Sequence, residues 1–390
     1  MIGQVSKEYG AFETTGAALV AIELAKRPTK DLEMAIYATN IPEEKAQEIE
    51  KFKAFGYSKN PFIYIYELLK RPIENINHLL YYKKKMGVNP LRFFFYEANI
   101  SRTIRAYKPD IIHTHGLMQY MPAYYAAQGY IPLVATMHGY WHTDERGDRI
   151  VKATMPFVDN ITTLTVMAKR DIIHDYPQKY DHFEIVANGA DTNKFYYSES
   201  KRVEMRKMLG IDEKTVVFIT VASIQERKGQ LKFLQFLHES GIANYRYLVI
   251  GMGNDSYVEE LTRYISEKNL GENVSLIGYI DNSEMYCYYS VADIYAHVST
   301  FEGQSLSEME AASTGLRVIV NKPLVETIPD TVNKTNNMYY VLDYNTKDFT
   351  TFLSWIKQGV NNRHSINYFS WQNIVDKYYG VFKAVLGFHK

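Results

Sequence analysis

Three observations predict an α/β protein of two domains, each a parallel sheet covered by helices. The chain has 390 residues, too many for one ordinary hydrophobic core. Short apolar runs alternate with helical patterns through both halves, as strand–helix–strand units require. The alternation pauses at residues 188–195, N-G-A-D-T-N-K-F, and then restarts. Asn, Gly and Asp in succession are turn chemistry. The seam is therefore placed there, giving domains of 1–195 and 196–369.

Composition narrows the class. With 44 basic and 44 acidic residues the net charge is zero, so no global field favours nucleic acid or acidic substrates. The one cysteine, Cys287, excludes an intramolecular disulfide and suits a reducing cytoplasm. It falls in an expected helix and reads as packing. The first residues, M-I-G-Q-V-S-K-E-Y-G, read as strand and turn rather than a signal peptide. No uncharged apolar run approaches the ~20 residues of a spanning helix. The expectation is a cytoplasmic protein, soluble or peripheral at the inner face of the plasma membrane.

The first half opens with a strand at 2–6 and a loop, K-E-Y-G-A-F-E-T-T-G-A, leading into a helix over 17–26. Gly16 stands at that junction, where backbone can approach a phosphate; a tight turn is the other reading. A strand follows at 33–38. Residues 57–108 break the rhythm: they are helix-like, aromatic and basic, with ten Lys and Arg against Glu67, Glu74 and Glu97. Two readings stand for this window. Apolar side chains beside cations suit contact with an anionic membrane; alternatively the aromatics are core and the charges a solvated face.

Next, P-D-I-I-H-T-H-G is a strand carrying His113 and His115 on one side. No third ligand accompanies them in a metal-site pattern, so buried, hydrogen-bonded histidines are expected. A helix over 118–128 leads to the strand I-P-L-V-A-T-M, which ends at His138-Gly139. Ligands of open α/β sheets lie outside such carboxyl ends.

In the second half, strand V-V-F-I-T-V-A ends at Ser223, and I-Q-E-R-K-G opens the next helix. Lys228 thus stands near a helix N-terminus, where a cation opposes the macrodipole and a bound phosphate would explain it. Gly251 and Gly253 form a G-M-G turn without a full dinucleotide fingerprint. The most informative stretch is 298–320, V-S-T-F-E-G-Q-S-L-S-E-M-E-A-A-S-T-G-L-R-V-I-V. It ends a strand, turns through Glu302 and Gly303, and opens a helix near Gln304 or Ser305. Gly315 marks the exit before a strand at 318–320. The first-turn amides, Gln304 to Ser307, suit an anion, and the flanking carboxylates Glu302 and Glu310 suit sugar and ribose hydroxyls.

This stretch resembles the signature of the family-4 retaining glycosyltransferases of GT-B fold: Glu, seven residues, Glu, then Ala, then Gly and an apolar strand. Gln304-Ser305 stands where many members have Phe-Gly. T-M-H-G resembles the family's strand-end His-Gly, whose histidine faces the donor sugar. N-G-A-D-T-N-K-F matches its boundary motif, and Lys228-Gly229 its Lys-Gly. The accompanying Arg position holds Ser223, a departure for which Arg227 is the candidate substitute. Gly278 to Ile280 match the backbone that reads the nucleotide base. The final helix, F-S-W-Q-N-I-V-D-K-Y-Y-G-V-F-K, resembles one that crosses back onto the first domain, adding about 370–390 to it. The resemblance covers nearly the whole chain and is weakest at 40–108.

It implies two facing Rossmann-like domains with a cleft between them, and a nucleotide sugar, UDP- or GDP-linked, held mainly by the second. Glu302, Lys228 and His138 would be catalytic. Gly16, Ser223, Arg227, Gly278, Ile280, Gly303, Gln304, Ser305, Leu306 and Glu310 would bind the donor. The reaction would be transfer with retention to a glycan, glycolipid or lipid-linked acceptor, without cofactor. The lack of an Asp-x-Asp motif agrees with metal independence. Two rivals are a glycosyltransferase-like subunit supporting an active partner, motivated by Ser223, and a dinucleotide oxidoreductase, which lacks its G-x-G-x-x-G unit.

Overall fold

The computed structural model describes residues 2–3, 16–46, 53–138, 145–253, 255–327, 338–359 and 363–388. The chain divides into two units, Met1–Ala187 with Gln372–Lys390, and Asn188–Trp371. The seam lies eight residues earlier than the expected boundary after residue 195, because that turn is bonded into the second unit. Asn188 hydrogen-bonds Gln304, Ala190 pairs with Phe369, and Phe195 is buried in that unit's core.

In the first unit, strands β1 (Ile2–Gly3), β2 (Ala35–Pro42), β3 (Lys53–Tyr57), β4 (Ile112–His115), β5 (Leu133–Met137), β6 (Ile161–Thr163) and β7 (Phe183–Ile185) form one sheet. Its order is β3-β2-β1-β4-β5-β6-β7 and every pairing is parallel. β4 and β5 are buried along their whole length, as strands covered on both faces must be. Of the expected first strand, residues 4–6 lie outside the described residues, as do residues 7–15 of the loop before Gly16. The helix after it runs Gly16–Ala25. β3 is a strand the sequence reading did not anticipate. Its Gly56 permits the pairing, since a Cβ there would stand 2.4 Å from the Ile41 carbonyl oxygen.

The 57–108 window is helical, as expected: Pro61–Lys70, Pro72–Tyr81 and Pro90–Tyr107, with a π-turn at Tyr82–Met86. Each helix opens on a proline, whose missing N–H costs nothing in the first turn. Asn60 and Asn89 cap two of them, accepting from Phe62 N at 3.0 Å and Arg92 N at 3.1 Å. The terminal helix Trp371–Phe388 returns its apolar stripe, including Val375, Tyr378 and Phe382, to the first unit. The Tyr378 ring centroid lies 5.2 Å from that of His113.

In the second unit, β8 (Val216–Val221), β9 (Tyr245–Ile250), β10 (Val274–Gly278), β11 (Ile294–His297), β12 (Arg317–Asn321) and β13 (Tyr339–Leu342) are again all parallel, in the order β10-β9-β8-β11-β12-β13. Alternate residues feed two cores. Val217, Ile219, Tyr295 and Val318 face one; Phe218, Tyr247, Ala296 and Ile319 face the other. Cys287 is buried in the helix Met285–Val291. Asp293, just before β11, accepts from Arg202 at 2.6 Å, from the buried Arg206 at 2.7 Å and from Val217 N at 2.8 Å, which fixes the base of β8 against β11.

Both sheets share one topology: three strands added in one direction, then a reversal. The reversal falls between β1 and β4 in the first unit and between β8 and β11 in the second. Crevices at the carboxyl ends of such strand pairs are where doubly wound folds take ligands.

Candidate functional site

In the second unit the reversal point is furnished by the two loops the sequence singles out. After β8 the chain passes Ser223, makes a short turn over Glu226–Lys228, and enters the helix Gln230–Glu239 through Gly229. Gly229 has φ +72°, and a Cβ there would stand 2.5 Å from the Val298 carbonyl oxygen. Only glycine lets this loop lie against the end of β11. After β11 the chain passes Ser299, Glu302 and Gly303, and Ser305 caps the helix Leu306–Ser313 through Glu308 N. The helix thus opens where expected.

Glu302 joins the two loops. It accepts from Lys228 through a short ion pair and from Arg227 at 2.7 Å. Arg227 also donates to the Phe301 carbonyl at 3.1 Å and lies over the Phe301 ring, while Thr300 N donates to the Arg227 carbonyl at 2.9 Å. Burial works against ionisation of Glu302, but the charge and hydrogen bond of Lys228, with His297 and Arg227 behind them, hold its carboxyl below the ordinary range. The arrangement provides two cations, an ionised carboxylate and an eight-residue helix's N-terminus at one strand-end crevice.

The other expected donor residues of this unit divide into two groups. Glu310 accepts from the Tyr289 hydroxyl at 3.0 Å, and burial raises its carboxyl to about 7. Gly303 and Leu306 are partly accessible beside Glu302 and the cap. Gly278, φ +82°, ends β10 with its carbonyl accepting Gly251 N–H at 2.8 Å; Ile280 packs against the core while Tyr279 between them is 71% exposed. Gln304 is turned inward: its side-chain oxygen accepts from Asn188 N at 2.5 Å, and Asn188 Nδ2 donates back to its carbonyl at 3.1 Å. Ser223 accepts from Gln225 Nε2 at 2.6 Å, a hydroxyl where the resemblance implies a guanidinium. The guanidinium on Glu302 is that of Arg227.

Sequence reasoning passed over Glu308 and His297. Glu308 is fully buried one turn into the helix, with His297 Nε2 at 3.5 Å and Tyr339 beside it, and neither closes a standard hydrogen bond to its oxygens. Burial pushes its carboxyl up to about 8, and burial pulls the His297 imidazole down to about 4. A charged residue six positions past Glu302 reads in sequence as one more helix-face acid. Only burial distinguishes it.

In the first unit His138 follows β5, and Gly139 lies outside the described residues. His138 Nε2 is 2.8 Å from Nδ1 of His115 at the end of β4, and the two rings are stacked with centroids 5.0 Å apart. His113 Nε2 lies 2.5 Å from the Thr136 hydroxyl. Burial lowers all three imidazoles, that of His138 to about 4. His113 and His115 are therefore buried and hydrogen-bonded, as expected, and His115 has a further place as the partner that orients His138. Its Nε2 has no partner among the described residues; an unmet acceptor is cheaper than an unmet N–H, so the favoured tautomer has His115 Nδ1–H donating to His138. Gly16 begins the helix Gly16–Ala25.

Comparison with known proteins agrees with this architecture. The family model described as Glycosyltransferase Family 4 matches residues 14–194, and that described as Glycosyl transferases group 1 matches residues 201–370. An alpha-monoglucosyldiacylglycerol synthase of Acholeplasma laidlawii is 28% identical over 60% of this chain and 64% of its own length. One of Streptococcus pneumoniae is 24% identical over 56% and 53%. A UDP-Gal:alpha-D-GlcNAc-diphosphoundecaprenol alpha-1,3-galactosyltransferase of Escherichia coli is 25% identical over 57% and 60%. The chain thus spans somewhat more than half the length of these curated relatives. Among solved structures, Anabaena HepE in complex with UDP superposes with a TM-score of 0.73 at 16% identity, covering 98% of each chain. A glycosyltransferase from Rickettsia africae gives 0.70 at 15% identity, covering 99% of this chain and 98% of its own. Two consecutive domain matches, two parallel sheets of one topology and a fold shared end to end place the chain in family 4 of the GT-B glycosyltransferases.

Proposed function

We propose that this protein transfers a hexosyl group, with retention and without metal or cofactor, from a UDP- or GDP-sugar to a glycolipid or lipid-linked acceptor at the inner face of a membrane. The observation that carries the donor half is the convergence of Lys228 and Arg227 on Glu302 beside the Leu306–Ser313 helix N-terminus. Lys228, Arg227 and the helix amides would stabilise charge developing on the departing nucleoside diphosphate. Glu302 would hold sugar hydroxyls, Glu310 the ribose, and the neutral His138 would approach the sugar. The acceptor half is supported by the relatives, two named for making monoglucosyldiacylglycerol and one for acting on a diphosphoundecaprenol-linked sugar. The basic, apolar 57–108 window would provide the membrane contact. The structure of HepE with UDP-glucose supports a nucleotide-sugar donor of that kind.

A second reading, a donor-binding subunit without turnover, is motivated by Ser223. Arg227 on Glu302 weighs against it, because it restores a guanidinium to the loop. The deciding experiment is nucleoside-diphosphate release from a panel of UDP- and GDP-sugars, without acceptor and with chelator present. Slow release from one donor, reduced on the order of 100-fold by Glu302→Ala and by Lys228→Ala, supports the proposal. Normal release in both variants would remove the site assignment. Donor binding without release, with or without added acceptor lipid, would favour the subunit.

A further inference from the structure

The helices Pro61–Lys70 and Pro72–Tyr81 are amphipathic the wrong way round for a protein surface in water. On the first, Phe62, Ile65, Tyr66 and Leu69 share one face at helical spacing; on the second, Ile73, Ile76 and Leu80 do. All seven are exposed, Phe62 at 73%, Leu69 at 69% and Ile73 at 77%. The inward faces carry Tyr64, stacked on Phe95, and Tyr81, edge-on to Phe157, but their fully buried positions are polar. Glu67 is buried against Arg105, and the buried Asn75 donates to the Glu67 carbonyl at 2.6 Å. His78 Nδ1 lies 2.8 Å from the buried Glu97, which also accepts from Tyr82 at 2.7 Å. Polar bonds therefore fix the hairpin to its unit while its apolar stripe faces outward. Of the twenty large apolar side chains exposed among the described residues, eight lie between 62 and 91. Concentration on that scale marks a contact surface rather than scatter.

The charge around the stripe selects the partner. Residues 59–92 hold seven Lys and Arg against Glu67 and Glu74. Both acids are already neutralised, Glu67 by Arg105 and Glu74 by Arg71 at 2.9 Å. Lys83, Lys84 and Lys85 are exposed on the π-turn at the hairpin's end, whose backbone is held by Arg149 donating to the carbonyls of Lys84 at 2.7 Å and Lys85 at 3.1 Å. A row of apolar side chains flanked by unneutralised cations is the chemistry of an anionic lipid interface: the stripe enters the acyl boundary and the lysines meet phosphate headgroups. A second copy of the chain would bring the same positive charge to the contact and be repelled.

We propose that residues 61–81 form an insertion wedge that seats this protein on an anionic lipid leaflet, with apolar penetration rather than charge alone holding it there. The choice of a leaflet rests on the membrane reading above; the wedge itself stands on the inverted faces. The test uses the full chain and vesicles of phosphatidylcholine with or without phosphatidylglycerol. Leu69→Trp should shift to the blue on anionic vesicles and be quenched by bromines on the acyl chains. The triple variant Phe62→Ser, Leu69→Ser, Ile73→Ser should lose vesicle affinity by at least about tenfold while releasing nucleoside diphosphate from donor in water like the parent. Replacing Lys83, Lys84 and Lys85 by Gln should abolish the preference for phosphatidylglycerol. An unquenched Trp with undiminished binding of the serine variant would overturn the wedge in favour of surface adsorption. A parent that sediments as a dimer, and a serine variant that sediments as a monomer yet binds vesicles like the parent, would overturn it in favour of self-association. Because donor turnover is read without lipid, loss of the wedge and loss of the transferase reading are separate results.

Discussion

Glu308 offers the sharpest quantitative test of the second unit. Its carboxyl is fully buried, with no standard hydrogen bond to either oxygen among the described residues, and burial, with a contribution from the Glu302 charge, raises it from about 4.5 to about 8. Between those values the folded protein keeps a proton that the unfolded chain has released. The stabilisation is complete below pH 4.5 and is lost as pH rises through 8. At about 1.4 kcal/mol per pH unit, the whole interval is worth up to about 5 kcal/mol, of which about 2 kcal/mol falls between pH 6.5 and 8.5. That upper window isolates Glu308 from its neighbour. His297 is pulled down to about 4 by burial, so it is neutral in the folded protein throughout the window, and its titration in the unfolded chain near about 6.5 is common to parent and variant. Glu308→Gln keeps the shape and removes the ionisation. Urea unfolding followed by tryptophan fluorescence should find the variant gaining on the parent by about 2 kcal/mol from pH 6.5 to 8.5. Parallel stability curves over that window would refute the reasoning, because they would mean that the buried carboxyl is already ionised in the folded protein at pH 6.5.

Two further outcomes follow from the loops. Gly229→Ala would force a left-handed φ and a Cβ to within 2.5 Å of the Val298 carbonyl; it should destabilise by at least about 2 kcal/mol in thermal or urea unfolding, with donor hydrolysis falling through displacement of Lys228. His115→Leu removes the hydrogen bond that orients His138; donor hydrolysis should fall about fivefold, with KM for the donor little changed, and equal rates would leave His115 a core residue only.

The sheets were legible because buried parallel strands are short apolar runs between helical patterns, and β4, β5, β8 and β12 are of that kind. The helix opening at Ser305 and the Gly315 exit were legible because each depends on a local residue type. The seam was legible as a turn but not as an attachment: N-G-A-D-T-N-K-F shows no sign in sequence that Asn188 will bond Gln304, 116 residues away. β3 was missed because its short Lys-Ala-Phe-Gly-Tyr run contains a glycine and a charge, features that weaken a strand pattern. For residues 57–108 the structure separates a core from an outward face, and the membrane reading remains the proposal made above. Tyr82, Phe93 and Phe94 are core, whereas Phe62, Leu69 and Ile73 face outward; helical period alone cannot say which stripe faces in. Arg227 and Lys228 were both visible, but their meeting on Glu302 joins loops 74 and 75 residues apart, a relation only the fold supplies.

Glu302 and Glu308 stand six residues apart and are driven to opposite protonation states. Two cations keep the first ionised, and burial keeps the second neutral near pH 7. This is the pattern by which one site separates the roles of two carboxyls. Its consequence here is the sign of the crevice. With Arg227 and Lys228 charged, Glu302 charged and Glu308 neutral, the cluster carries one net positive charge beside the helix N-terminus, which favours a diphosphate. Ionisation of Glu308 would cancel it from behind. Affinity for a nucleoside diphosphate should therefore fall as pH rises through about 8 in the parent, and stay flatter in Glu308→Gln, when followed by calorimetric titration between pH 6.5 and 9. A Coulomb interaction of about 1 to 2 kcal/mol, the scale for partly buried charges several ångströms apart, predicts a loss of about five- to thirtyfold in the parent. An equal decline in both proteins would assign the pH dependence to other groups, with the Glu308 carboxyl electrically silent toward the crevice it underlies.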